Sequence, residues 1–168
     1  NWCVRNEKTV RHLNARNHNP NYLSSVYFDT AKLRLSTDVA ATIESSDHVV
    51  IAIPSAYLMA TLQGLPVNIF SGKKVISAIK GIIPDNNLLL NEYLGEQYNF
   101  SLSSYFTVMG PCHAEEVAAE KLSYLTISGI DQEATKKVAE NFTTEYLTTI
   151  INNDVTGVQF AAVLKNIY

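Results

Sequence analysis

The chain has 168 residues, of which 46% are hydrophobic and 17% charged, with a formal net charge of −3 at pH 7. This composition indicates a globular domain, or one domain plus the start of another. It gives no electrostatic footprint for a nucleic acid, and no apolar run approaches the ~20 residues of a membrane-spanning helix. Two cysteines, Cys3 and Cys112, are too few for a disulfide framework, so a reducing cytoplasm is the expected compartment.

Candidate strands and helices alternate along the chain. The predicted strands cover residues 2–4, 31–38, 48–53, 74–79, 104–109, 122–129 and 145–151. The predicted helices cover residues 7–16, 39–45, 55–63, 113–120 and 132–142, and two more begin near Asn86 and after Asp154. We expect Asp38 or Thr37, Asp131 and Asp154 to cap helices. Because the alternation requires crossover connections, we predict an α/β fold with a mostly parallel sheet.

The run HVVIAI at residues 48–53 is almost wholly apolar and β-branched, which predicts a strand that is covered on both faces. Ligands of parallel sheets bind outside the carboxyl ends of the strands. This rule selects the turns at residues 54–55, 80–81 and 110–113 as candidate ligand-binding turns.

Two of these turns carry candidate functional groups. Lys80 is either a solvated lysine at a strand end or an ammonium that holds an anion or a polarised hydroxyl, and Gly81 permits a sharp turn. Gly110 precedes a predicted helix whose free N–H groups either hold an oxyanion or simply begin an ordinary helix. His113 and Glu116 lie on that helix, but HAEE lacks the second histidine of a zinc-binding helix, so we predict no metal site.

Lys165 lies in the run DVTGVQFAAVLKNIY, which is apolar on nearly every side and so predicts a buried helix. It shares a face with Val158, Ala161 and Ala162. A buried ammonium there has to find a partner, lose its proton or open onto a cavity. Lys165 is therefore either a general base with a lowered pKa or a lysine that reaches past the end of the helix into solvent.

Three segments in this order and spacing resemble the bacterial NAD(P)-dependent glycerol-3-phosphate dehydrogenases. VISAIKGI resembles the family pattern S-A-T-K-G-[LI], GPCHAEEVA resembles G-P-[ST]-[FH]-A-E-E-V, and DVTGVQFAAVLKN resembles D-x-x-G-V-E-x-x-x-x-L-K-N. The opening NWCVRNEKTV and the run DHVVIAIPSAYL are also similar to the family. Each motif is weak alone, but the ordered set is specific and covers the chain from end to end.

The resemblance implies a Rossmann-like, doubly wound, mostly parallel sheet that lacks its first strand and Gly-rich turn. Residues 1–152 would form a partial NAD(P)-binding domain, and residues 153–168 would begin an all-helical substrate and dimerisation domain. We therefore expect both ends to be cut from a longer enzyme, and the chain alone to be nearly inactive. The implied reaction interconverts sn-glycerol 3-phosphate and dihydroxyacetone phosphate with NAD or NADP, in a cytoplasmic homodimer that feeds glycerophospholipid synthesis.

The resemblance also implies site residues. Lys165 corresponds to the catalytic lysine, and Lys80 corresponds to a lysine that contacts both substrate and cofactor. The implied substrate contacts further include Gly110, Cys112 and Asn166, and the implied cofactor contacts include Arg5 and Ala114. Two positions depart from the family pattern: residue 112 is usually a hydroxyl residue, and residue 159 is Gln where many members have Glu.

Two alternatives stay open at this point. One is another two-domain dehydrogenase of the 2-hydroxyacid, UDP-sugar or ketopantoate type, against which the G-P-x-x-A-E-E turn argues. The other is a non-catalytic binding module on a Rossmann-like scaffold, because a fold alone does not determine a function.

Overall fold

The computed structural model describes residues 1–165. In this range the strands are β1 (Trp2–Cys3), β2 (Leu35–Ser36), β3 (His48–Ile51), β4 (Lys74–Ser77), β5 (Tyr105–Met109), β6 (Ser123–Ser128) and β7 (Leu147–Asn152). The α-helices are α1 (Glu7–Arg16), α2 (Val39–Glu44), α3 (Leu58–Leu62), α4 (Leu90–Tyr98), α5 (Ala114–Ala118), α6 (Gln132–Glu140) and α7 (Val155–Leu164). The predicted α/β class is confirmed. None of the helices in this part of the chain is long and apolar enough to cross a membrane.

The strands form two sheets. β1 and β2 make a parallel pair, and the other five strands form one sheet in the order β3-β4-β5-β6-β7. Its neighbours are parallel except for β5 and β6, which are antiparallel. The carboxyl ends of β3, β4 and β5 therefore share one edge of the sheet, whereas β6 and β7 end at the opposite edge.

The five-stranded sheet carries a hydrophobic cluster on each face. Val75 and Tyr105 belong to the larger cluster, which includes residues of α3, α4 and α7. Their neighbours Ile76 and Phe106 belong to the smaller cluster, which includes residues of α6. Because successive side chains of a strand point to opposite faces, each central strand contributes to both clusters.

Asp38, Asp131 and Asp154 cap helices as the sequence predicts. Each side-chain carboxylate accepts a hydrogen bond from the backbone N–H three residues on, at 2.9, 3.0 and 2.7 Å respectively. Such bonds satisfy N–H groups that have no partner within the helix, and each contributes about 1 kcal/mol to helix stability.

Several predicted elements are shorter than expected. Of the strand predicted at residues 31–38, only β2 forms, because Thr30–Lys32 makes a 3-10 turn in which Asp29 accepts a bond from the Ala31 N–H. The helix predicted at residues 55–63 begins with a second 3-10 turn, Ser55–Tyr57. The helix predicted from Asn86 begins only at Leu90, where Glu92 accepts a bond from the Leu89 N–H.

β3 is also less covered than its apolar sequence predicts. Within residues 1–165 it pairs only with β4, and the side chain of Val50 is 52% exposed. The prediction of a strand covered on both faces is therefore wrong for the described part of the chain, where β3 is an edge strand.

Candidate functional site

The turns that follow β3 and β4 touch each other. A Cβ built on Gly81 would lie 2.7 Å from Oγ of Ser55, closer than real Cβ contacts come. The two turns selected by the sequence, at residues 54–55 and 80–81, are therefore neighbours at one edge of the sheet.

The turn after β5 reaches the same edge. Ser77 of β4 pairs with Thr107 of β5, and Lys80 and Gly110 each lie three residues further along. A Cβ on Gly110 would lie 2.5 Å from the backbone oxygen of Tyr124, so the chain passes β6 at a distance that only glycine allows. The register thus brings Lys80 and Gly110 to the same edge.

Arg5 and Lys80 supply positive charge to this region. The Arg5 guanidinium lies 5.8 Å from the centre of the Tyr57 ring, a cation–π contact that joins the β1–β2 pair to the turn after β3. The side chains of Arg5 and Lys80 are both exposed, and neither forms a salt bridge with another described residue. The edge can therefore offer two cationic groups to an anionic ligand.

Cys112 and Ala114 follow Gly110 on the third turn. Cys112 is half-buried, and Ala114 is exposed as the first residue of α5. The helix predicted at residues 113–120 is shorter in the structure. It covers five residues, Ala114–Ala118, and His113 is its N-cap residue. Among the described residues, no group of three or more His, Cys, Asp or Glu side chains is placed to hold a metal ion.

Lys165 lies in solvent, the second of the two placements that the sequence leaves open for it. It is exposed and follows the last residue of α7. The expected burial of this helix is wrong for the described residues, because Phe160 and Leu164 are 43% and 52% exposed and only Val155 and Gln159 are buried. Asn166, the other predicted residue of this segment, lies outside the described residues.

Sequence reasoning missed two side chains near these groups. Tyr57 gives no signal in the sequence, because its contact with Arg5 joins two segments that are far apart along the chain. Gln159 does give a signal: it is a large polar residue in a mostly apolar helix, and its side chain is 3% exposed.

A pocket of about 320 Å³ lies elsewhere. Its lining includes Lys73 and Ser104, which directly precede β4 and β5, together with Phe70 and Tyr98. It therefore lies at the amino edge of the sheet, opposite the turns that carry Lys80 and Gly110.

A largely parallel α/β sheet, with the turns of Lys80 and Gly110 at its carboxyl edge, is the architecture of a Rossmann-like domain, a class that includes many dinucleotide-binding proteins. The family described as NAD-dependent glycerol-3-phosphate dehydrogenase N-terminus matches residues 1–135. The chain belongs to this family, as its sequence motifs predict.

Individual relatives agree with the family match. The chain is 30% identical over 167 residues to a glycerol-3-phosphate dehydrogenase (NAD(P)+) of Limosilactobacillus reuteri, a match that covers 97% of this chain and 49% of the relative. The solved glycerol-3-phosphate dehydrogenase of Plasmodium falciparum is 25% identical with a TM-score of 0.83, covering 99% of this chain and 46% of that one. The enzyme from Coxiella burnetii shares the fold, with a TM-score of 0.82 at 20% identity over 97% of this chain and 49% of that one. The chain spans about half the length of the curated relatives it matches.

Proposed function

We propose that the complete protein interconverts sn-glycerol 3-phosphate and dihydroxyacetone phosphate, with NAD or NADP as the hydride carrier. One observation carries this proposal: in a chain of this family, the register brings Lys80 and Gly110 to the carboxyl edge of the sheet, beside the turn that contains Ser55.

The residues of this edge fit a dinucleotide. The exposed cations Arg5 and Lys80 suit its phosphates, and they lie at the edge where ligands of parallel sheets bind. Arg5 would lie near the adenosine ribose, and Lys80 and Ala114 would also contact the cofactor. When bound, the nicotinamide supplies the hydride chemistry.

Lys165 is the proposed general base, and the neighbouring turns hold the substrate. In the oxidation direction its neutral amine takes the proton of the C2 hydroxyl as hydride leaves C2, which yields the ketone. Lys80, Gly110, Cys112 and Asn166 would orient the substrate hydroxyls. A lysine acts as a base only when it is unprotonated.

The same proposal assigns residues 1–152 to the cofactor domain and residues 153–168 to the start of a helical domain. The family match to residues 1–135 supports the first assignment. The exposed side chains of Phe160 and Leu164 support the second, because they offer apolar surface to further packing. We also propose that the complete protein is a cytoplasmic homodimer that serves glycerophospholipid synthesis.

The test uses the complete protein and the variant Lys165→Ala. Dihydroxyacetone phosphate should be reduced with NADH or NADPH, followed by the loss of nicotinamide absorbance. Removing the base should lower kcat about 10²- to 10⁴-fold while the Kd of the reduced cofactor stays the same. The matched control is Lys136→Ala, which removes an exposed lysine of α6. An unchanged kcat in Lys165→Ala would reject its role, and a wild-type protein without this activity would reject the function.

A further inference from the structure

Gln159 is the one buried polar residue of α7 in the described chain. Its Oε1 accepts a hydrogen bond from the Tyr105 hydroxyl at 2.9 Å. Its Nε2 donates to Oδ1 of Asn91 at 2.8 Å and to the backbone oxygen of Val155 at 3.2 Å. The side chain therefore links α7 to β5 and to the first turn of α4 at the same time.

This link is more directional than the other contacts of α7. Val155 is the one buried apolar residue of α7 in the described chain, so apolar packing constrains the rotation and sliding of this helix only weakly. Hydrogen bonds need donors and acceptors within a few tenths of an ångström. Tyr105 is fully buried, and burial raises the pKa of its hydroxyl, which therefore stays a neutral donor. Shifting α7 would leave Tyr105 and Gln159 with unpaired buried polar groups, which is unfavourable.

Both sides of the link lead to proposed substrate-binding groups. β5 ends at Met109, and Gly110, the next residue, lies five residues beyond Tyr105. Six residues beyond Gln159 is Lys165, about 9 Å further along α7 at 1.5 Å per residue. A rotation or shift of α7 at Gln159 would thus move the amine of Lys165 relative to the turn at Gly110.

We propose that Gln159 is a positioning residue, which sets the placement of Lys165 through its hydrogen bonds to Tyr105 and Asn91. This inference rests on the proposed function. Misplacing a reacting group by about 1 Å can cost 10²-fold in rate, so the position of α7 matters to catalysis even though Gln159 itself touches no substrate.

The test compares Gln159→Leu and Gln159→Glu in the complete protein. Leucine keeps similar bulk but makes no hydrogen bond, so kcat should fall at least 10-fold while the cofactor Kd stays within 2-fold. Glutamate still accepts from Tyr105 and, after the Asn91 amide turns over, from Asn91 as well. It loses only the donation to the Val155 oxygen, which lies within α7 and does not link the helix to its neighbours. It should therefore restore kcat to within about 3-fold of wild type. The control Gln97→Leu changes an exposed glutamine of α4 and should leave kcat unaltered.

Two further measurements separate positioning from stability. In Gln159→Leu the acidic limb of the kcat–pH profile should shift, and hydrogen exchange of the α7 amides should accelerate without a matching change in α6. If this variant does not fold, Tyr105→Phe removes only one bond of the link and should move kcat and the profile in the same direction.

The outcomes distinguish the two proposals. Wild-type kcat and pH profile in a folded Gln159→Leu or Tyr105→Phe variant would overturn the positioning role alone. A wild-type protein that does not turn over dihydroxyacetone phosphate would overturn the proposed function, and the positioning role with it, before any variant is measured.

Discussion

Gly81 faces the side-chain hydroxyl of Ser55, and a Cβ at position 81 would come within 2.7 Å of that oxygen. Gly110 faces a different kind of neighbour, because a Cβ there would come within 2.5 Å of the backbone oxygen of Tyr124. A serine hydroxyl can rotate away about one bond, whereas a backbone oxygen in a paired strand cannot move without disturbing the sheet. The two glycines therefore differ in how much change they tolerate.

We expect Gly110→Ala to destabilise the protein by about 1–3 kcal/mol, the usual cost of inserting a methyl group into filled space. Gly81→Ala should cost less than about 1 kcal/mol, because rotation of Ser55 relieves the contact. Chemical denaturation of the complete protein followed by circular dichroism measures both values. Equal losses of stability in the two variants would contradict the distinction between a mobile and a fixed neighbour.

Local sequence signals predicted much of the fold. The caps at Asp38, Asp131 and Asp154 are predictable because a capping side chain and its target lie three residues apart. The predicted bounds of α1 also agree with the structure. Strand pairing was not predicted to the same degree. Nothing in the β6 sequence indicates that it runs antiparallel to β5, because the direction of pairing depends on distant segments.

The residues of the candidate site also differ in whether local sequence is enough to predict them. The turn residues Lys80 and Gly110 were found because the carboxyl-edge rule needs only strand ends. The sequence leaves two environments open for Lys165, because the burial of a helix depends on what packs against it, and within residues 1–165 much of α7 is uncovered. The role of Gln159 depends on two partners that are 54 and 68 residues away in sequence.

Cys112 should tolerate replacement by serine. Its side chain is half-buried in the turn after Gly110, and a hydroxyl is a stronger hydrogen-bonding group than a thiol. We expect Cys112→Ser to keep kcat within about 3-fold of wild type and to lower the KM for dihydroxyacetone phosphate or leave it unchanged. Steady-state kinetics of the complete protein measures this, with Cys3→Ser as the matched control. A total loss of activity in Cys112→Ser would mean that the thiol has a role of its own.

Arg5 should contribute to cofactor affinity through charge. Its exposed guanidinium is held near the Tyr57 ring, beside the turn after β3. A charge-assisted contact to a phosphate is worth about 1.5–3 kcal/mol, so Arg5→Gln should weaken cofactor binding roughly 10-fold or more. If the contact is to a 2′-phosphate, the loss will be larger for NADPH than for NADH. Fluorescence titration with each reduced cofactor measures the two Kd values.

The control for Arg5 is Arg11→Gln, which removes an exposed arginine of α1. It has the same change in net charge and should leave both Kd values within 2-fold of wild type. Equal weakening in the two variants would show that Arg5 acts only through the overall charge of the protein.

Tyr98 should make the stability of this domain sensitive to alkaline pH. Its hydroxyl donates to the backbone oxygen of Leu62 at 2.8 Å, and its ring packs edge-on against Phe70. Burial raises the pKa of Tyr98 from 10.0 to about 12. Because the folded state holds this proton more tightly than the unfolded state, the contribution of Tyr98 to stability is complete below pH 10 and is lost as the pH rises toward 12.

We therefore expect the difference in unfolding free energy between wild type and Tyr98→Phe to be constant from about pH 7 to 9, near the 1 kcal/mol of a lost hydrogen bond. Above pH 10 this difference should shrink, because only the wild-type protein has to keep the phenol of Tyr98 neutral in order to stay folded. Denaturation at closely spaced pH values measures it, and Tyr22→Phe, at an exposed tyrosine, serves as the control. If the wild-type and Tyr98→Phe curves stayed parallel through pH 11, Tyr98 would ionise equally in both states, and burial could not be raising its pKa.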